Sequence, residues 1–510
     1  MIFDTKNQGI YRPCGLFWPF PFLFDVGQDA DTRLGAHLNH RLEPSPDCAF
    51  MSVITPQLLA RYDVPGPRYT SYPTADRFVE AFTEADYLQA LELRRDTRPL
   101  KGQPLSLYVH VPFCESLCYY CACNKIITKH KERAGIYLRY LAREVELQVA
   151  HLGSGHSVSQ LHLGGGTPTF LSDDELRELM AMLRRHFNFV PGGEYSIEID
   201  PRTVDANRLA VLAELGFNRL SFGVQDFDPA VQKAIHRIQP AEQVFSMVHA
   251  ARALGFDSIN VDLIYGLPLQ SPESFARTLA KVNELRPDRI ALYGYAHLPE
   301  RFKPQRRISP AELPLGGAKL AMLAQSLDAF TEAGYVYIGM DHFALPTDAL
   351  AVAKRQGRLH RNFQGYSTQP DCDLIALGVS AIGRMGATYS QNAKTIEEYC
   401  DALDRGRLPI IHGLSLNRDD LIRRAVIMAL MCQGQLQFES INLAWLIDFK
   451  IYFAAEIQAL QDLETQGLVK LNDSGIEVTS MGWFFVRAVG MVFDRYLQQG
   501  RTRATFSKIL

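Results

Sequence analysis

The chain has 510 residues, 47% of them hydrophobic and 21% charged, with a net charge of −3 at pH 7. That length accommodates roughly two to four domains and a large buried core. The near-neutral balance excludes a general polyanion-binding surface, so no nucleic-acid partner is expected, and an anionic small molecule would need a local cluster of Arg and Lys.

Residues 1–50 carry no helical or strand period, and no stretch of the chain reaches the roughly 18 apolar residues of a membrane span. The nearest, "CGLFWPFPFLF", is short and holds two prolines, and it lacks the basic leader and cleavage site of a signal peptide. No membrane partner is expected. Met51 opens orderly sequence, so residues 1–50 are expected to be an extension, either a mis-assigned start or a flexible arm. Residues 51–104 read as helix and turn, with "VPGPRYTSYPTADRF" (Val64–Phe78) a loop with rigid corners.

From Leu105 a repeating pattern begins. "LSLYVHV", "SQLHLGGGTPTF", "EYSIEIDP", "RLSFGVQDF", "INVDLIYGLP" and "RIALYGYAHLP" are strand-sized runs, each ending in polar residues, Gly or Pro. Helical stretches lie between them. Leu138, Leu141, Val145, Val149 and Leu152 recur at helical spacing, and Ser172 with Glu175 forms a capping-box signature. Alternating strands and helices predict a parallel sheet. Six such units over residues 105–365 suit a partial (β/α)6 barrel, with functional residues at the C-terminal ends of the strands. Cys114, Gly164–Thr167, Glu198–Asp200, Gln225–Asp226, Asp262 and Ala296–His297 fall there. Residues 366–510 are expected to form a separate, mostly helical C-terminal domain, with a hairpin turning at Asn472–Gly475.

Four of the nine cysteines, Cys114, Cys118, Cys121 and Cys123, fall within ten residues. The others, Cys14, Cys48, Cys372, Cys400 and Cys432, are scattered, which does not fit a secreted disulfide framework and fits a reducing cytoplasm. Thiolates suit zinc or iron–sulfur clusters. Structural zinc wants four ligands, usually two separated pairs. Cys123, one residue past Cys121, reaches a shared tetrahedral ion poorly, and no second Cys or His pair follows nearby. A [4Fe–4S] cluster on three thiolates leaves one iron open to bind a small molecule.

"CESLCYYC" resembles the cluster loop of the radical S-adenosylmethionine (SAM) enzymes, which implies a cluster held by Cys114, Cys118 and Cys121, and a 5′-deoxyadenosyl radical from SAM. From Met51 onward the chain is similar to the oxygen-independent coproporphyrinogen III oxidase family, through "GPRYTSYPTA", "YVHVPFC", "CACNK", "GGGTPTF", "IEIDPR", "SFGVQDF", "VDLIYGLP", "YAHLP", "IGMDHFA" and "LHRNFQGY". The resemblance implies oxidative removal of two propionate carboxyl groups of coproporphyrinogen III, giving the vinyl groups of protoporphyrinogen IX. It also implies that Tyr108 lies beside the SAM and that Cys123 is an extra cysteine outside iron ligation; both are expected to serve the chemistry. Tyr120 stands where the family usually has Phe and is expected against adenine. Gly165 is expected to let the SAM amino group approach, Glu198 to bind SAM, and Ile382 to touch adenine. Gly166, Thr167, Gln225, Arg237, Asp262 and Ala296 match the surroundings of a second SAM. A low-potential donor such as reduced flavodoxin, a separate electron acceptor and a monomeric state are the accompanying expectations.

Plainer readings stand beside these. Glu198 in an alternating strand fits a buried structural carboxylate, Gln225 and Asp226 fit a helix cap, and Arg237 fits a solvated helix charge. His110 and His297 fit satisfied core histidines. Asp341 and His342 fit a proton relay or a structural pair. Arg68–Tyr72 and Arg361 are candidates for propionate contacts, because guanidinium forks match carboxylates. The rival function is haem carriage by the related radical-SAM haem chaperones, which lack the extra cysteine and carry a shorter His-Asn-x-x-Tyr-Trp motif in place of "HRNFQGY".

Overall fold

The computed structural model describes residues 56–62, 64–97, 102–369, 371–498 and 506. The expectation for residues 1–50 lies outside them.

The six expected strands form at Leu105–Val111 (β1), His156–Gly165 (β2), Phe187–Ile199 (β3), Arg219–Gln225 (β4), Ser258–Tyr265 (β5) and Arg289–Gly294 (β6). They pair in parallel in that order. Along them one set of alternate residues is apolar and fully buried, including Leu107, Val109, Leu161, Leu163, Ile197, Leu220, Phe222, Val261, Leu263, Ile290 and Leu292. These pack with residues of the intervening helices, such as Leu141 and Val145, Leu179 and Leu183, and Phe275 and Val282. The other set (His162, Ser196, Glu198, Ser221, Asn260, Asp262, Tyr293) is polar and lines a cavity on the opposite face. The period-two pleat separates the two sets. Ser172 and Glu175 make both capping-box bonds at the start of the helix Asp173–His186.

The parallel array does not stop at six. Val336–Gly339 (β7) and His342–Ala344 (β8) extend it antiparallel beyond β6. Asp373–Leu377 (β9) pairs in parallel with the opposite edge of β1. Ile382–Met385 (β10), Thr388–Asn392 (β11) and Ile410–Ser415 (β12) continue antiparallel from β9. The resulting sheet, β12-β11-β10-β9-β1-β2-β3-β4-β5-β6-β8-β7, is open rather than a closed barrel. The boundary expected between residues 365 and 366 is therefore displaced: the sheet runs on to Ser415, and the helical part starts at Arg418–Gln433. The "DLIAL" strand was hidden because its five residues are all buried, leaving no alternation to read.

The C-terminal helices have their own core, built from residues such as Val426, Leu430, Phe453, Phe485 and Val489. Tyr62, Tyr69 and Tyr72 belong to the same core, so the Tyr-rich segment is part of this layer. The expected hairpin forms between Val469–Leu471 and Gly475–Val478, and a third short strand, Gln435–Gln437, joins it. No helix among the described residues is long and apolar enough to cross a membrane.

Candidate active site

Beyond β1 the chain turns through the cysteine loop. Register places His110 beside Gly164 and Val111 beside Gly165, so the loop opens next to the glycine string ending β2. The Gly166 N–H donates to Val111 O at 2.8 Å and the Thr167 N–H to Phe113 O at 2.9 Å, locking the two strand ends together. Gly165 has φ +116°, a region side chains rarely adopt, and an added Cβ would meet the His110 ring at 2.8 Å.

A cavity of about 300 Å³ follows. Cys114, Cys118, Cys121 and Cys123 line it, facing Gly165, Gly166, Thr167, Glu198, Gln225, Arg237 and Asp262 from the strand ends, with Tyr120 on its wall. The Thr167 hydroxyl donates to Cys114 Sγ at 3.4 Å, and Arg237 Nη1 donates to Cys118 Sγ at 3.5 Å. Burial pushes the Cys114 thiol up to about 11. A hydrogen bond from Cys123 brings Cys121 down to about 6, burial opposing it. No three His, Cys, Asp or Glu side chains among the described residues close on a single ion. Thiols spread round one cavity instead fit a cubane that takes one thiolate per iron.

Glu198 Oε2 accepts the Gly165 N–H at 3.1 Å, and Oε1 lies 3.4 Å from His162 Nε2. Burial alone would raise this carboxyl; His162 and the Gly165 N–H more than offset it, so it lies below its ordinary value and is an anion. Asp262 accepts from Asn260 at 2.9 Å and Ser221 at 3.2 Å. Burial, then the Glu198 charge, push it up to about 6. Glu198, Ser221, Asp262 and Tyr293 also line a second cavity, of about 170 Å³, between the strands. The cysteine cavity thus borders a polar space over the concave face of the sheet.

Arg237 is 6% exposed. It donates to Gly223 O at 2.7 Å and pairs with Asp200 at 3.2 Å, and Arg202 pairs with the same carboxylate at 2.6 Å. The solvated-charge reading of Arg237 therefore fails: register brings the residue under the strand ends, where a buried carboxylate holds it. Asp226 turns away from the cavity. It is fully buried and accepts from Thr278 at 2.7 Å and Gln270 at 2.5 Å, while Asp228 caps the following short helix. Gln225 does reach the cavity, from a left-handed backbone at φ 68°.

Tyr108 lies within the strands, stacked on His162 at 5.9 Å, its hydroxyl 3.0 Å from His110 Nδ1. His110 is a satisfied core histidine, its Nε2 bonded to Asn124 O at 3.0 Å. His297 bonds to the Tyr295 hydroxyl at 2.9 Å. Ala296 follows β6 and Ile382 opens β10; neither is among the residues lining the two cavities. Asp341 and His342 form no pair: His342 Nδ1 bonds Met340 O at 2.7 Å, and the Asp341 side chain lies among arginines. Sequence reasoning missed Lys125, Arg202, Ser221 and Tyr293 on the cavity wall. The signals for the first two were available, since Lys125 closes "CACNK" and Arg202 closes "IEIDPR".

The radical SAM superfamily model matches residues 108–282, and the HemN C-terminal domain model matches residues 416–485. The oxygen-independent coproporphyrinogen III oxidase of Pseudomonas aeruginosa is 53% identical over 455 residues, covering 89% of this chain and 98% of that protein. The Escherichia coli strain K12 protein of the same name is 47% identical over 453 residues, with the same coverages. The solved structure described as coproporphyrinogen III oxidase (HemN) from Escherichia coli, a radical SAM enzyme, superposes with a TM-score of 0.81 at 46% identity, covering 85% of this chain and all of that one. The chain belongs to the oxygen-independent coproporphyrinogen III oxidase family of radical SAM proteins.

Proposed function

We propose that the chain catalyses the anaerobic oxidative decarboxylation of two propionate side chains of coproporphyrinogen III, giving protoporphyrinogen IX. The observation that carries this reading is the grouping of Cys114, Cys118 and Cys121 round one cavity with Glu198 and Asp262, beside a polar space over the sheet. Cys114, Cys118 and Cys121 would hold a [4Fe–4S] cluster, and SAM would lie among Tyr120, Gly165 and Glu198. Bound there, the two supply a 5′-deoxyadenosyl radical able to take hydrogen from a propionate carbon.

The remaining work falls to the chain. Glu198, an anion fixed by the Gly165 N–H, is suited to a cationic or hydroxyl-bearing part of SAM. Arg237, clamped by Asp200 and Gly223 O, presents positive charge to a carboxylate. Gly166, Thr167, Gln225, Arg237, Asp262 and Ala296 would hold a second SAM, and Ile382 would touch the adenine of the first. Tyr108, half-buried and stacked on His162, would pack beneath the first SAM. Cys123 lies on the exposed rim of the loop and acts through its hydrogen bond to Cys121, not as an iron ligand. A low-potential donor of the flavodoxin kind would reduce the cluster, a separate acceptor would take the electron left after CO2 loss, and the enzyme would work as a cytoplasmic monomer.

Iron and sulfide analysis after anaerobic reconstitution tests the ligand division. Cys118→Ser loses most of the cluster, while Cys123→Ser keeps wild-type iron and loses turnover. Equal iron loss in both variants would make Cys123 a ligand and refute it.

A further inference from the structure

Three arginines from distant parts of the chain meet beside the polar cavity between the strands. Arg68 lies over the Tyr293 ring at 5.4 Å, and Tyr293 lines both cavities. Arg361, 5% exposed, lies over the Tyr366 ring at 4.6 Å, and Tyr366 lines the cavity between the strands. Its Nε donates to Arg68 O at 3.3 Å, and its buried Nη1 has no partner. Arg487, 3% exposed, reaches in from the C-terminal core and donates to Pro67 O at 3.0 Å and to Gly66 O. The loop that carries Arg68 is held from below as well: the Tyr69 hydroxyl donates to Asp494 at 3.0 Å, and the Tyr389 hydroxyl donates to Tyr72 O at 3.2 Å.

The carboxylate of Asp341 lies within the field of all three guanidiniums. Burial and the Arg361 charge hold His342 neutral, near 3. Burial and the Arg68 charge bring Arg487 down to about 9. Buried charge of one sign is costly unless paired. A planar fork with an unpartnered Nη1 matches a carboxylate oxygen.

We propose that Arg68, Arg361 and Arg487 form the subsite for a carboxylate of the substrate, and specifically for the propionates that the product keeps. This rests on the function proposed above. A propionate that leaves as CO2 must give up its negative charge; a guanidinium clamp stabilises the carboxylate and opposes that loss. A propionate that stays through both turnovers gains only anchorage from the clamp. The subsite therefore holds the end of the porphyrinogen that is not consumed, and presents the other end to the cysteine cavity.

The test compares the wild-type holoenzyme with Arg361→Gln, Arg361→Lys and the half-buried Arg68→Gln. The readouts are cluster content, KM and kcat for coproporphyrinogen III, and binding of coproporphyrin III and of its tetramethyl ester by fluorescence titration. Both Gln variants should keep their cluster, raise KM and weaken coproporphyrin binding about 10- to 100-fold, the range of lost hydrogen bonds to a charged group. The loss of kcat should be smaller. Arg361→Lys, which keeps the charge and loses the fork, should fall between. The ester should bind wild type and variants equally. Wild-type turnover with unchanged KM in the cluster-loaded Gln variants overturns the subsite and leaves the function standing. Equal weakening for acid and ester would make the arginines structural and overturns it too. A cluster-loaded wild type that does not convert coproporphyrinogen III overturns the function and the subsite together.

Discussion

At Gly166 the fold and the proposed chemistry both depend on a missing side chain. An added Cβ would stand 2.7 Å from the carbonyl carbon and oxygen of Pro112 and 2.8 Å from Phe113 O, against the 3.4 Å at which ordinary contact begins. All three atoms are backbone, so no side chain can swing aside. The ends of β1 and β2 would have to part by about 0.7 Å, straining the Gly166-to-Val111 and Thr167-to-Phe113 hydrogen bonds. Overpacking of this kind costs about 1–3 kcal/mol, a shift of a few degrees in a chain of this length. The effect on function should exceed the effect on stability, because Phe113 precedes Cys114 and a displacement near 1 Å at a reacting site costs on the order of 100-fold. Gly166→Ala is expected to melt only a few degrees lower, yet to load less iron and bind SAM at least about tenfold more weakly. Calorimetry, iron and sulfide analysis and equilibrium dialysis with labelled SAM read the three effects. Gly317→Ala is the control: it lies in the helix Gly316–Glu332 with nothing within 4 Å, so it should be neutral or stabilise by up to about 1 kcal/mol. Gly166→Ala with wild-type cluster content and SAM affinity would refute the reasoning.

Arg237→Met removes one of two partners of a buried carboxylate and should destabilise by about 3 kcal/mol, read as a lower melting temperature together with weaker SAM binding. Adding Asp200→Asn should restore part of the stability but not the SAM affinity; recovery of both would make Arg237 purely structural. Glu144 is fully buried and accepts from Tyr399 at 2.6 Å, Asn392 at 2.6 Å and the Gly378 N–H at 2.8 Å, with burial raising it from 4.5 to about 7. A carboxyl raised on folding binds its proton more tightly in the folded chain. Stability is therefore lost as pH rises from the unfolded value near 4.5 through about 7, by about 3 kcal/mol in all. Glu144→Gln should flatten that slope in melting curves taken between pH 5 and 8, and an unchanged slope would reject the assignment.

The six parallel strands were legible because each combines an apolar alternate set with a Gly, Pro or polar stop, and the concave polar set then follows from the period of two. The same alternation carried Gly165, Glu198 and Asp262 to the strand ends, and the spacing of Cys114, Cys118 and Cys121 carried the cluster loop. What was hidden depends on contacts between distant segments. Arg487 sits in an apolar stretch, "FFVRAVG", and finds its partner carbonyls 420 and 421 residues away. Asp200 was visible at a strand end, but its double pairing with Arg202 and Arg237 needs the turn after β3 and the loop after β4 to fold together. Glu144 was within reach: it lies three residues past Leu141 and one before Val145, on the buried face of a helix already recognised. A charge on an apolar face signals a buried partner, and here Tyr399, Asn392 and Gly378 supply one.

The account is tested most directly by anaerobic incubation of the cluster-loaded chain with coproporphyrinogen III, SAM, a low-potential reductant and an electron acceptor. Protoporphyrinogen IX should appear with two CO2 released per porphyrin, and with methionine and 5′-deoxyadenosine forming in step, while Cys118→Ser gives none of these products. Tight haem binding by a cluster-loaded wild-type chain that releases no CO2 from coproporphyrinogen III would contradict it.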